Sequence, residues 1–426
     1  MSRLRVPEPA FLLSVWNVRY RPVSRFFTTV MGMKIRITPF AWVCFSMCVG
    51  VMGTALISPL YALYKQGWQL SNSDVTLVYT AYMGGAFFGL MCLGRLPDKM
   101  GFLSVMKKGL MLMGIGMLAS MLASNVLILD GGRFMVGIAS SMLTTSASVG
   151  LVQLSVKNGN LQRAATITSL LIAFGFGLGP LVGGIMGQWL PSPLRTTYIP
   201  TLLLGLFAIV ALGRLDIEDG RKGRPDFRDF LPKLVWADRP RSLVFFLSSL
   251  CAFIAFGIFG LYASMVPVFL RDMLPWHGPF VSGTSIAMIL FLSAGVQLFA
   301  GRLPTRWSGF AGLLLLASGL ALLLSDMWLH SVPVFILSVL VTATGHGMST
   351  LAGITMVNRL ADTHNRSGMI STYLMIGYIG SMLPLLLMGW MADRWGMDCA
   401  LTVFCSFMMA LCVTVAVSFF RHPGVR

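Results

Sequence analysis

Acidic residues are scarce in this chain: fifteen Asp and Glu in 426 positions. Charged residues of both signs make up 11%, against about a quarter in a soluble globular protein. That shortage excludes an ordinary solvated surface for a chain of this length. None of the fifteen carboxylates falls in the middle of an apolar run. Cysteine is sparse too, with seven residues, all in or beside apolar runs. An odd number without framework spacing excludes a disulfide scaffold, and no zinc-ligand spacing appears. Cys44 and Cys48, one helical turn apart, read as small buried side chains rather than a soft-metal pair. No nucleophile–base or metal constellation appears within the apolar runs, so no enzyme activity and no cofactor are expected.

What the chain has in abundance is apolar sequence. Hydrophobic residues make up 56%, in runs of about 20 that recur from end to end, each long enough to cross a hydrocarbon core as a helix. The runs are continuous rather than alternating, which excludes a β-barrel reading. The expected fold is an all-α membrane protein with twelve transmembrane helices, near 39–63, 75–95, 106–128, 132–155, 165–189, 197–214, 242–270, 279–300, 308–325, 332–357, 367–390 and 399–420.

The longest polar stretch, residues 216–241, follows the sixth run. It suggests a cationic N-terminal arm (1–38), a six-helix half (39–214), a linker (215–241), a second six-helix half (242–420) and a tail (421–426). The arm contains AFLLSVW, too short for a cleavable signal segment. Its Trp16, Phe26 and Phe27 among arginines suit a segment lying on the membrane surface. The net charge is +17. With the arm, linker and tail placed in the cytoplasm, 27 of the 32 Lys and Arg fall on that side. This asymmetry follows the positive-inside rule and accounts for the charge without nucleic acid.

Some polar phrases recur. GRLPDKMG begins at Gly94 and GRLPTRWSG at Gly301, an offset of 207. Pro59 and Pro267, Arg163 and Arg366, and Pro180 and Pro384 recur at offsets of 208, 203 and 204. Slowly drifting offsets are what an old internal duplication leaves. The expected arrangement is two pseudo-symmetric six-helix halves related by an axis along the membrane normal.

GRLPDKMG resembles the loop signature between the second and third helices of the major facilitator superfamily. Gly94, Leu96, Asp98 and Gly101 match that pattern, and Lys99 stands in for its arginine. Pro97 replaces an alanine, and Phe102 and Leu103 replace a basic pair, although Lys107 and Lys108 follow. The second copy, with Gly301 and Arg302, lacks the aspartate. GWMADRWG, Gly389–Gly396, is a further family-like ending of the eleventh helix. The loop reads as a latch: its glycines permit close helix approach, and a neighbouring helix N-terminus would attract Asp98.

GFGLGPLVGG is similar to the antiporter signature of the family, with Gly175, Gly179, Pro180, Gly183 and Gly184 at its fixed positions. Glycines spaced by four share one helix face and allow close packing, while Pro180 favours a kink. A Gly-x-Gly inside an apolar run opens no dinucleotide-binding unit. Arg133 and Gly137 are similar to the family's Arg-x-x-x-Gly signature, in which the arginine is linked to proton coupling. Asp130, three residues earlier, is placed to pair with Arg133 on a helix.

His346, flanked by glycines in the tenth run, is a candidate proton-exchanging group, with a hydrogen-bonded structural histidine as the alternative. The expected cavity carries Arg133, His346, Thr144, Thr145, Tyr82 and Tyr378. With no carboxylate in mid-span, that set suits a neutral or anionic small molecule rather than a cation. The resemblance implies a monomeric secondary transporter in the bacterial inner membrane, both termini cytoplasmic. It would work by alternating access and be coupled to protons, and the antiporter signature points to efflux. The alternatives are a metal-, siderophore- or metallophore-linked importer of the same fold, and a membrane sensor or scaffold without flux.

Overall fold

The computed structural model describes residues 38–156, 161–215, 217, 223, 226, 230, 234–362 and 365–425, without the side chains of 156, 161–169, 271–273, 366 and 367. The N-terminal arm, most of the linker and the side chains of Arg163 and Arg366 therefore lie outside the described residues. Among these, all regular structure is helical, and twelve helical spans are long and apolar enough to cross a membrane.

Several spans run past their expected ends. Span four is a helix over Val126–Val156, span five over Leu161–Trp189 and span eleven over Arg366–Trp395. Polar residues at a helix end keep their backbone hydrogen bonds inside the helix, so hydropathy marks only the apolar middle. One consequence is that Asp130 stands within span four, not before it.

Both repeated prolines near the first helix of each half mark breaks. Span one is a helix over Pro39–Ala55, a short 3-10 turn over Ser58–Leu60 and a helix over Tyr61–Trp68. Span seven is interrupted at Met265 between Ser242–Ser264 and Val266–Met273. Pro59 and Pro267 sit in the first turn of the segment after each break, where a missing N–H is tolerated. Pro180 and Pro384 lie inside continuous helices.

The packing repeats as well. Spans three and four, two and four, and one and five pack closely, as do nine and ten, eight and ten, and seven and eleven. Contact between the halves runs mainly along two seams, span five against span eight and span two against span eleven. Both seams gather at one end of the bundle, the end that carries the turns at 69–71 and 274–278. Towards the other end span eight leaves span five: beyond Phe291 a side chain at Gly295 would have nothing within 4 Å, and Leu298 and Phe299 are exposed. Among the described residues both seams are thus sealed at one end, and span eight parts from span five towards the end bearing the GRLP loops.

Candidate functional site

The break in span one creates a site in the first half. Where the helix stops at Ala55, Arg133 of span four donates from Nη1 to the Thr54 carbonyl at 2.9 Å. An unwound turn frees a carbonyl that must be satisfied in a membrane interior, and a guanidinium is well shaped to do so. Arg133 is 3% exposed, and its guanidinium lies 4.9 Å from the Tyr82 ring centre. The expected pairing with Asp130 is not formed: Asp130 Oδ1 and Arg133 Nε are both buried without a hydrogen bond. The Arg133 head instead engages the freed carbonyl. Tyr61, which the sequence reading missed, stands beside the guanidinium with its hydroxyl buried. Its one sequence signal is its place two residues after the helix-breaking Pro59.

His346 sits in the second half. Its Nδ1 is 2.8 Å from the Ser293 hydroxyl of span eight, and its ring is 5.9 Å from that of Phe259. Gln297, one turn along span eight, reaches the same hydroxyl at 3.5 Å. A methyl at Gly347 would meet the Ser293 backbone, so the glycine beside His346 serves span contact. Arg133 and His346 share no direct partner, but half-buried aromatics lie between their clusters. Tyr378 of span eleven is in electrostatic range of Tyr82 across the seam. Its ring is 5.9 Å from Phe256, one helical turn before Phe259. Thr144 stands apart, its hydroxyl bonded to the Ser140 carbonyl of its own helix at 2.9 Å, and Thr145 likewise bonds Ser141.

The glycines of span five divide between two faces. Gly175, Gly179 and Gly183 lie against the span-one backbone at Cys48, Met52 and Leu56. Gly184 and Pro180 face span eight in the other half: a methyl at Gly184 would stand 2.6 Å from the Pro279 carbonyl and 3.2 Å from Gly283 Cα. Gly187 meets Pro279 next to them, and Trp189–Phe280 and Phe174–Phe291 ring pairs flank the contact at 5.1 and 5.6 Å. The signature therefore serves two interfaces, one within a half and one between halves.

The two GRLP loops differ. In the first, Leu96–Met100 form a short helix and Gly101 has φ 85°, a conformation that favours glycine. Lys99 offers its carbonyl to Gly223 N at 3.2 Å. Asp98 is exposed and its carboxylate has no partner among the described residues. In the second, Gly301 ends span eight, Arg302 is exposed, and the next helix starts at Thr305 after Pro304. Gly94 and Gly301 are both right-handed, so neither needs glycine for its backbone angle. At Gly94 a methyl would instead stand 2.7 Å from the Leu90 carbonyl. Among the described residues no three His, Cys, Asp or Glu side chains gather to hold a metal.

Twelve spans that pack in two similar sets match a known design. The family model described as Major Facilitator Superfamily covers residues 43–310 and 298–426. The chain belongs to the major facilitator superfamily. It is a multi-pass membrane transporter of a solute. A major facilitator transporter of Methanocaldococcus jannaschii, described as uncharacterized, is 22% identical over 81% of this chain and 89% of its own. The tetracenomycin C resistance and export protein of Streptomyces glaucescens is 26% identical over 42% of this chain. The multidrug efflux protein YfmO of Bacillus subtilis is 24% identical over 40%. These two matches span only 33% and 42% of the relatives' own lengths. Among solved structures, the POT family transporter PepTSo superposes with a TM-score of 0.72 at 12% identity, covering 89% of this chain and 96% of that one. A bacterial homologue of the human lysosomal transporter Spinster, in an inward-facing conformation, gives 0.67 at 16%, covering 89% and 95%.

Proposed function

We propose that the protein exports a small neutral or anionic solute across the bacterial inner membrane by alternating access, driven by protons moving the other way. Residues 39–214 and 242–420 are the units that rock. The observation that carries this reading is the one-ended seal. Glycine-to-glycine contact closes one end while span eight parts from span five towards the other, as in one of the two access states of such a cycle. The charge asymmetry of the chain supports placing the GRLP end, termini and linker in the cytoplasm, and in this reading the state is inward-facing.

A buried guanidinium without a bonded carboxylate makes the wall of the first half electropositive. That disfavours cations and suits neutral or anionic solutes. Tyr82, Tyr378, Phe256 and Phe259 form an aromatic band from Arg133 to His346. In this reading His346 carries the coupling proton and Arg133 supplies the fixed charge. Export is favoured over import by the antiporter signature and by the words export and efflux in the names of two partial relatives.

The test uses inverted membrane vesicles with a panel of organic anions and neutral solutes. Uptake that collapses with an uncoupler supports proton-driven export. Uptake that an uncoupler leaves unchanged overturns the coupling. A His346→Ala chain that keeps the wild-type pH profile moves the proton site elsewhere.

A further inference from the structure

The GRLPDKMG phrase has a second counterpart besides GRLPTRWSG. Aligned on its glycines, Gly94-x-x-x-Asp98-Lys-x-Gly101 matches Gly389-x-x-x-Asp393-Arg-x-Gly396 residue type by residue type. The backbone agrees: Gly101 and Gly396 have φ of 85° and 88°, and each caps the helix that follows. One phrase ends span two and the other ends span eleven, the two antiparallel helices of one seam. They therefore lie at opposite ends of that seam.

Asp393 crosses the seam at the sealed end. Its two carboxylate oxygens accept hydrogen bonds from the backbone N–H groups of Asn72 and Ser73, at 2.7 and 2.9 Å. These are the first two residues of span two. A helix start leaves its first N–H groups without internal partners. Span two satisfies its third by a local capping box, in which Ser71 Oγ accepts from Asp74 N at 3.0 Å and Asp74 accepts in return from Ser71 N. The first two are left to the other half of the molecule. Gly389, one turn before Asp393, makes the approach possible: a methyl there would meet Thr76 Oγ1 and stand 3.0 Å from the Asn72 carbonyl. Deeper in the same seam the Tyr79 and Ser381 hydroxyls meet at 3.0 Å.

We propose that Asp393 is a gating residue of the transport cycle, a proton-releasable latch that holds the sealed end shut while Asp98, its counterpart at the other end, has no partner among the described residues. This rests on the alternating-access reading above. A carboxylate holding two N–H groups at a helix start is stabilised by its charge. A protonated one loses most of that attraction, and its own hydrogen no longer matches two donors. Among the described residues the charged groups around it are otherwise engaged or exposed. Asp74 bonds Ser71, Lys65 bonds Asn72 Oδ1, Arg394 lies 5.8 Å from the Trp390 ring centre and Asp398 is exposed. Nothing else among them supplies the two acceptors. Acid in the compartment facing this end therefore favours its opening. Spans two and eleven thus carry one carboxylate and one helix start at each end of their seam.

The test measures distances in the full-length protein in lipid nanodiscs. Labels go on exposed Gln66 and Trp276, on opposite halves at the sealed end. Their attachment is orthogonal to cysteine, because Cys399 is exposed. In an Asp98→Asn background, which removes the other latch, the distance should widen as pH falls from about 5 to about 2.5, because a carboxylate that accepts two N–H hydrogen bonds protonates below the usual carboxylate range. Asp393→Asn should already be wide at pH 7, shifting the open-to-closed ratio on the order of tenfold or more, and lose the pH step. Asn72→Pro, which deletes one donor at a position where helices accept proline, should widen the distance partly and keep the step. Asp393→Glu should restore closure. A distance that switches but is the same at each pH with and without the Asp393→Asn change overturns the latch. A distance fixed in every variant and at every pH overturns both the latch and the alternating-access reading.

Discussion

The two seams between the halves are related by the internal repeat, yet they close by different means. Span five meets span eight through Gly184, Gly187, Gly283 and Pro279, flanked by ring pairs. Span eleven meets span two through a carboxylate on two backbone N–H groups and a tyrosine–serine hydroxyl pair. The first seam depends on the absence of side chains and is insensitive to pH. The second depends on a charge and can be released by a proton. A symmetric transporter can thus divide labour at one gate, with shape excluding the solute and charge setting how firmly the gate stays shut.

The largest effect is expected from adding bulk to the apolar seam. Gly184→Leu should hold spans five and eight apart, because even one carbon there would stand 2.6 Å from the Pro279 carbonyl. Leucine is well tolerated in lipid, so insertion should survive while transport falls to background. Gly179→Leu should behave differently. It strikes span one within the same half, so its main effect should be lower thermal stability in detergent. Equal melting temperatures for the two variants would deny the division of the signature between two faces.

A smaller effect is expected from Arg133→Ala. It leaves the Thr54 carbonyl at the span-one break without its donor and exposes a cavity beside Tyr61 and Tyr82. Loss of a buried hydrogen bond from a charged group costs about 1.5–3 kcal/mol, readable as earlier unfolding. Arg133→Lys should recover little, since an ammonium does not reproduce the fork of a guanidinium. Full stability in Arg133→Ala would show that the clamp is dispensable.

The smallest effect on the conformation described here should come from Asp98→Asn. Its carboxylate is exposed and has no partner among the described residues in this state, so melting behaviour should match the unaltered chain. Transport should still fall, because the state closed at the GRLP end would lose its latch. A variant that melts normally and transports normally would place the gate elsewhere.

Much of the architecture could be read from sequence because burial in lipid imposes a simple rule on composition. Twelve apolar runs, a central polar stretch and slowly drifting repeats led to twelve spans in two halves, whereas the breaks beside the recurring Pro59 and Pro267 emerged only in the structure. The site was less legible. Arg133 was visible as a costly charge, but its partner is the Thr54 backbone carbonyl, and a backbone atom leaves no trace in side-chain spacing. The expected Asp130 partner had the right helical separation, yet it makes no hydrogen bond to Arg133. The two faces of span five are mixed within ten residues and separate only once span eight is seen beside them. Asp393 matched Asp98 in its surrounding pattern, but its partners lie 320 and 321 residues away in sequence, beyond the reach of local reading.

The central claim is that the two ends of the bundle open in turn. It is tested most directly by two distances followed in the same preparation. One pair, Gln66 and Trp276, spans the sealed end, and a second, exposed Lys108 and Arg359, spans the end bearing the GRLP loops. Across changes of pH and added solute, the first distance should widen when the second narrows. Two distances that widen together, or that never change, would contradict the account.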